Sequence, residues 1–180
     1  MGFFVKIVSW YKKTFWSLEK QAVCAGVKMG RNNYIATRFW GSEPYLITIG
    51  SNCQLTKGAF IHTHGGGVVA RPIIPDFDVF GKVVIGDWVY IGSDAKIMPG
   101  VTIGNNVLVA AGSVVTKSIP SNVVVAGNPA RYICTVEEYI ERNRKYNVSS
   151  SGMSYRDKKQ FLMSLDDAKF IKKMEIKVEK

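Results

Sequence analysis

The chain has 180 residues, is 47% hydrophobic and carries a formal net charge of +10. That length suits one principal domain with appendages, and that apolar share excludes wholesale disorder. No apolar run reaches the length of about 18 residues that a spanning helix needs, and Met1–Val8, interrupted by Lys6, is too short to read as a secretory signal.

The charge is uneven. Residues 1–31 carry six Lys or Arg against Glu19 alone, residues 32–134 carry seven against five, and residues 135–180 carry eleven against eight. The basic excess lies mainly at the N-terminus, which argues against a nucleic-acid partner. It suits an anionic substrate or a membrane surface. Three cysteines without CxxC spacing point to a reducing cytosol, and Cys53 reads as a packed thiol.

In chain order, residues 1–23 form an N-terminal segment. Phe4, Ile7, Val8, Tyr11, Phe15 and Leu18 recur at three- and four-residue steps, so residues 3–23 are expected to form one amphipathic helix. Packing on the open end of the main domain is one reading of this helix. Peripheral contact with the inner membrane surface is the other.

The main domain spans 24–134. Residues 24–48 read as an irregular first coil. A period of six follows: Ile49-Gly-Ser-Asn-Cys-Gln, Leu55-Thr-Lys-Gly-Ala-Phe and Ile61-His-Thr-His-Gly-Gly. It resumes at Ile85-Gly-Asp-Trp-Val-Tyr and runs through hexads opening at Ile91, Ile97, Ile103, Val109 and Val115. A period of six is neither helical nor simple strand alternation. It describes an all-β solenoid of short strands and tight turns, with three hexads to a triangular coil. The opening aliphatics point inward, and the fifth places (Cys53, Ala59, Val89, Ala95, Val101, Val107, Ser113) are mostly small for a corner. Gly or Asn at the turns supplies positive φ.

Residues 65–82 interrupt the period as a loop, and a long insertion at one corner of a solenoid is often functional. After Pro120 the chain leaves the coil through Ala126-Gly-Asn-Pro-Ala-Arg131. Residues 135–180 are a helical extension: Thr135-Val-Glu-Glu138 reads as a capping box for a helix over about 135–146, and 154–174 reads as helical.

The only two histidines, His62 and His64, lie directly before the loop. A solenoid needs no histidine for packing, and histidine is the natural general base near neutral pH. Spaced by two, both project on one side if the segment is extended. Solvated polar residues at a corner are the plain alternative. A zinc enzyme is another: His62, His64 and Asp76 or Asp78 would supply three ligands. A non-catalytic scaffold is a third. The metal-free reading is preferred.

The hexads, the run Ile97-Met-Pro-Gly-Val-Thr-Ile-Gly, then Ala111-Gly-Ser-Val-Val-Thr-Lys117-Ser-Ile-Pro and Ala126-Gly-Asn-Pro-Ala-Arg131 resemble the hexapeptide-repeat acyltransferases, most of all their sugar and polysaccharide O-acetyltransferases. The resemblance covers about residues 30–140. It implies a left-handed parallel β-helix, a cytoplasmic homotrimer with active sites between subunits, and acetyl-CoA as donor. It makes His64 the base, with His62 as second choice. It places Tyr90, Ser93, Ala111, Gly112, Thr116, Lys117 and Arg131 in the CoA cleft. Ala111 and Gly112 leave room for the pantetheine arm, Lys117 and Arg131 suit CoA phosphates, and Ser93 suits the oxyanion. Arg38, Arg71, Asp76, Asp78 and Trp88 are expected to orient the acceptor, a sugar or surface-polysaccharide hydroxyl. N-acetylation of an amino sugar would need the same base and donor site.

Overall fold

The computed structural model describes residues 10–11 and 14–175. The chain divides into two compact units, Met1–Val136 and Glu137–Lys180.

The first unit is built of very short strands in three sheets. The first sheet joins β1 (Lys28–Met29), β3 (Ile47–Ile49), β6 (Val83–Ile85) and β9 (Thr102–Ile103). The second joins β2 (Tyr34–Ile35), β4 (Gln54–Leu55), β7 (Tyr90–Ile91), β10 (Leu108–Val109) and β12 (Val123–Ala126). The third joins β5 (Phe60–Ile61), β8 (Lys96–Ile97) and β11 (Val114–Val115). All these pairings are parallel, and isolated bridges Phe39–Phe60 and Ile103–Ile119 extend the third and first sheets. The chain thus circles the same three sheets in turn and climbs one rung per circuit. Among the described strands, only β13 (Arg131–Thr135) runs back, antiparallel to β12.

Register shows how the period of six becomes a coil. After the loop, partners are one 18-residue circuit apart, as in Tyr90–Leu108 and Lys96–Val114, and 16 apart at the last rung, as in Leu108–Val124. Pairs that span the loop are twice as far apart, as in Gln54–Tyr90 and Phe60–Lys96. Residues 65–82 therefore replace one circuit's length of chain without shifting the phase. Inward columns follow: Leu55, Ile91 and Val109 in the second sheet and Ile61, Ile97 and Val115 in the third are all buried. The fifth-place Cys53, Ala59, Val89, Ala95, Val101, Val107 and Ser113 are buried as well. Two residues of each hexad fill a narrow interior, so one of them must be small. Each buried Ile, Leu or Val contributes about 1.5–3 kcal/mol, and the columns supply most of the driving force.

One corner column lies at positive φ in every circuit: Asn32, Asn52, Trp88, Asn106 and Asn122, between 54° and 65°. Asn tolerates this conformation. The amide Nδ2 of Asn32 donates to Asn52 Oδ1, and that of Asn106 to Asn122 Oδ1. Trp88 interrupts this ladder and is largely exposed.

The helix expected over 3–23 lies partly outside the described residues, at 1–9 and 12–13. The described part is not continuous. The chain bends at Trp16, and helix α1 spans Leu18–Ala25. Ser17 sits at φ −59°, ψ 154°, and its hydroxyl accepts from Lys20 N–H, so it starts a new helix rather than continuing one. Gly26, at φ 115°, ends it with its N–H on the carbonyls of Ala22 and Val23. Ala22 is buried where α1 meets β2 and the 3-10 turn Pro44–Leu46.

After β13, helix α2 spans Val136–Asn143, and a 3-10 turn follows at Arg144–Tyr146. Helix α3 (Tyr155–Met163) starts at Ser154, whose hydroxyl accepts from Asp157 N–H. It stops at Ser164, short of the helix expected to 174, and a 3-10 turn at Asp167–Lys169 follows. Most side chains of α3 are exposed, so little apolar packing holds the helix beyond its cap. No helix among the described residues is long and apolar enough to cross a membrane.

Candidate active site

Strand β5 of the third sheet ends at Ile61, and the next three residues include both histidines. The backbone stays extended, so burial alternates: Ile61 and Thr63 point inward, while His62 and His64 lie on the outer side. The loop departs at once. Its root is closed by Gly65 N–H on Val79 O (2.9 Å), Gly81 N–H on Thr63 O (2.8 Å) and an antiparallel bridge between His64 and Phe80. His64 is therefore held on both flanks, although it stands at the start of an insertion.

Glu43 completes the arrangement. Its Oε2 accepts the Thr63 hydroxyl at 2.6 Å and lies 2.9 Å from His64 Nδ1. The Glu43 side chain is 16% exposed and that of His64 is 44% exposed. Hydrogen bonds first from Thr63 and then from His64 hold the Glu43 carboxyl below its usual range. An ionised carboxylate only accepts, so His64 Nδ1 donates to it, and in the neutral ring the lone pair then falls on Nε2. A neutral, oriented imidazole with a free Nε2 is what a general base requires.

His62 differs. Its ring stacks on Phe60 at 4.2 Å and 17°, and Phe60 stacks on Phe39 at 5.3 Å and 7°. Burial, then the charges of His64 and Lys96, push its pKa down. Among the described residues, no carboxylate is hydrogen-bonded to it. The two histidines, first and second choices by sequence, thus have different surroundings: a carboxylate beside His64 and an aromatic ring beside His62.

Several other expected residues fall elsewhere. In the loop, the Arg71 guanidinium pairs with Asp78 at 3.0 Å, and Asp76 is exposed. Neither aspartate has a hydrogen bond to His64. Trp88 stands at the corner between the first and second sheets, whereas His64 follows the third, so one chain does not bring them together. Arg38 is exposed beside Phe39. Among the described residues, no three His, Cys, Asp or Glu side chains are grouped as a metal site needs.

The expected donor residues form two groups. Thr116, Lys117 and Arg131 line one cavity of about 200 Å³, with Pro120, Ala130 and Tyr132 among its other walls. Ser93, Ala111 and Gly112 occupy successive rungs at the corner between the second and third sheets, tied by Gly112 N–H on Ser93 O at 2.8 Å. A Cβ on Gly112 would meet nothing within 4 Å, so the groove there is open. The Ser93 hydroxyl donates to Thr56 Oγ1 at 3.3 Å. Tyr90 stands apart on the outer face of the second sheet.

Glu43 and Thr63 escaped the sequence reading. Thr63 carried a faint signal, a hydroxyl between two histidines in the extended run. Glu43 carried none within its own neighbourhood. Only the Phe39–Phe60 pairing places it, because the same offset of 21 residues sets Glu43 opposite His64.

The family model described as bacterial transferase hexapeptide (six repeats) matches residues 82–117. The chain is similar to Protein CapG of Staphylococcus aureus, at 45% identity over 126 residues, covering 69% of this chain and 73% of that protein. It is also similar to the galactoside O-acetyltransferase of Escherichia coli (strain K12), at 35% identity over 127 residues. That match covers 68% of this chain and 59% of the relative, less than two thirds of its length. A solved galactoside acetyltransferase in complex with coenzyme A superposes with a TM-score of 0.55 at 25% identity, covering 76% of this chain and 80% of that one.

Proposed function

Because the chain belongs to the bacterial transferase hexapeptide family and is an acyltransferase by that membership, we propose that it moves the acetyl group of acetyl-CoA to a hydroxyl of a sugar or a surface-polysaccharide unit, with His64 as general base. The observation that carries this reading is the Glu43–His64 contact at 2.9 Å, with Thr63 on the same carboxylate oxygen.

The chemistry is direct transfer. His64 Nε2 takes the proton of the acceptor hydroxyl as its oxygen attacks the thioester carbon. The tetrahedral oxyanion then collapses, the C–S bond breaks, and the CoA thiolate recovers the proton from the imidazolium. Glu43 is a positioning residue: it holds the ring tautomer and stabilises the transient imidazolium. Ser93 or a neighbouring backbone N–H serves the oxyanion. The residues present suit the donor. Lys117 and Arg131, on one cavity, match its phosphates, and the open rung at Gly112 matches its thin arm.

The functional unit in this proposal is a left-handed β-helix assembled as a homotrimer, with sites between subunits. In the single chain the loop leaves Val69 at 82% and Ile73 at 86% exposure. Apolar side chains projecting this far suit a neighbouring subunit.

The test is calorimetry with acetyl-CoA and CoA, followed by acetyl transfer to a panel of glycosides. Saturable binding near one site per subunit and ester formation on a sugar hydroxyl are expected. Absence of CoA binding by the native oligomer overturns the reading. Amide formation on an amino sugar alone would assign N-acetylation instead.

A further inference from the structure

The base and the donor groups leave one feature unused. Phe39, Phe60 and His62 form a continuous ring stack on the outer side of the third sheet, with centroids 5.3 and 4.2 Å apart and planes within 17°. Phe39 is 48% exposed, and the pKa of His62 is lowered, chiefly by burial. The stack is therefore aromatic throughout, and the ring of Phe39 is open to solvent.

Register ties the stack to the base. Phe39 pairs with Phe60, so along the two rows Gly41 comes beside His62, and Glu43 comes beside His64. Gly41 lies at φ +65°, and a Cβ there would fall 2.6 Å from Thr63 Oγ1. Glycine at this point lets the row pack against the buried Thr63 hydroxyl that holds Glu43 beside His64. On the other flank, the Phe80 ring meets His64 at 6.4 Å in an edge arrangement. An aromatic surface thus borders a polar edge made of one carboxylate and one imidazole.

We propose that the Phe39–Phe60–His62 stack is the acceptor-recognition surface, on which the apolar C–H face of a pyranose ring packs while a hydroxyl at the ring's rim reaches His64. This rests on the sugar-acceptor reading above. The surface suits that class because a pyranose offers the same two-sided chemistry, an apolar face and a polar rim. An acceptor of serine size has no face to offer. The second histidine, on this view, serves as an aromatic surface and not as a proton acceptor.

The experiment is steady-state acetyl transfer from acetyl-CoA to methyl β-galactopyranoside, methyl β-glucopyranoside and free serine. Phe39→Ala and His62→Ala are expected to raise the KM of the accepted pyranoside about 3- to 10-fold, the worth of one aromatic contact. The KM for acetyl-CoA is expected to stay within twofold, on the order of the assay's resolution. Phe39→Tyr and His62→Phe, which restore a flat ring, should recover acceptor KM relative to the alanine variants. Phe39→Leu, apolar but not flat, covers the case in which an alanine variant does not fold, and should also raise it. Unchanged acceptor KM across the alanine and leucine variants overturns the inference. A wild-type enzyme that acetylates neither pyranoside overturns the sugar reading itself, and that result precedes any variant.

Discussion

Glu43 Oε2 lies 2.9 Å from His64 Nδ1, across 21 residues of chain. The two side chains meet because the first complete circuit of the coil brings the row containing Phe39 beside the row containing Phe60. Thr63 donates to the same oxygen at 2.6 Å and is fully buried. The base of the proposed reaction is thus anchored from the interior.

His64→Ala is expected to abolish acetyl transfer by about 10²–10⁴-fold, the usual contribution of a general base. Calorimetry should show CoA binding unchanged. Loss of CoA affinity instead of turnover would place His64 in the donor site.

Glu43→Gln preserves shape but removes the charge that orients His64. The expected fall in kcat is roughly 10- to 100-fold, short of deleting the base, with the KM for acetyl-CoA unchanged. A rise in the acetyl-CoA KM without a fall in kcat would contradict the positioning role.

The Glu43 carboxyl should titrate below the ordinary glutamate value of 4.5, because Thr63 and His64 hydrogen-bond its ionised form. A depressed carboxylate pKa stabilises the fold above the unfolded value, and that stabilisation is lost as pH falls through the lower folded value. Glu43 should therefore stay ionised at neutral pH, and its contribution should fade only on acidification through its lowered folded value. Carboxyl-carbon NMR would measure the midpoint, and Thr63→Val should raise it. A wild-type midpoint above 4.5 would contradict the geometry.

Lys117→Ala and Arg131→Ala should each weaken CoA binding about 10-fold, since each removes one charge-assisted contact to a phosphate. The two residues share one cavity, so the double variant tests whether they act on one ligand. Unaltered affinity in both would move the donor away from this end of the coil.

Two glycine substitutions separate packing from backbone strain. A Cβ on Gly86 would fall 2.8 Å from the backbone carbonyl carbon of Gly104 on the next circuit. Gly86→Ala should therefore cost about 1–3 kcal/mol by crowding two rungs. Gly100 lies at φ +82° with nothing within 4 Å of an added Cβ, so Gly100→Ala should cost about 1–2 kcal/mol through its backbone alone. Denaturant unfolding measures both.

The hexads show how much was legible locally. Ile91, Ile97 and Ile103 read as inward aliphatics and are buried, because each residue's face follows from its place in the period. The break at Trp16–Ser17 was less visible. Spacing of apolar residues favoured one helix, and a serine cap overrode it through a single hydrogen bond to Lys20 N–H. The Arg71–Asp78 pair was not legible either, because proximity to the histidines in sequence did not reveal that the two charges meet each other.

By itself the sequence determined the repeating rung, the inward columns, the position of the loop and the pair of histidines at its root. These follow from local periodicity, in which each residue's environment is decided within about one circuit of chain. Only the tertiary structure decided that Glu43 and Thr63 serve His64, that His62 joins the ring stack of Phe39 and Phe60, and that Lys117 meets Arg131 in one cavity. Those meetings depend on the register between circuits. That register is 21 residues where Phe39 meets Phe60 and 18 where Lys96 meets Val114, and it is set by how the whole interior packs.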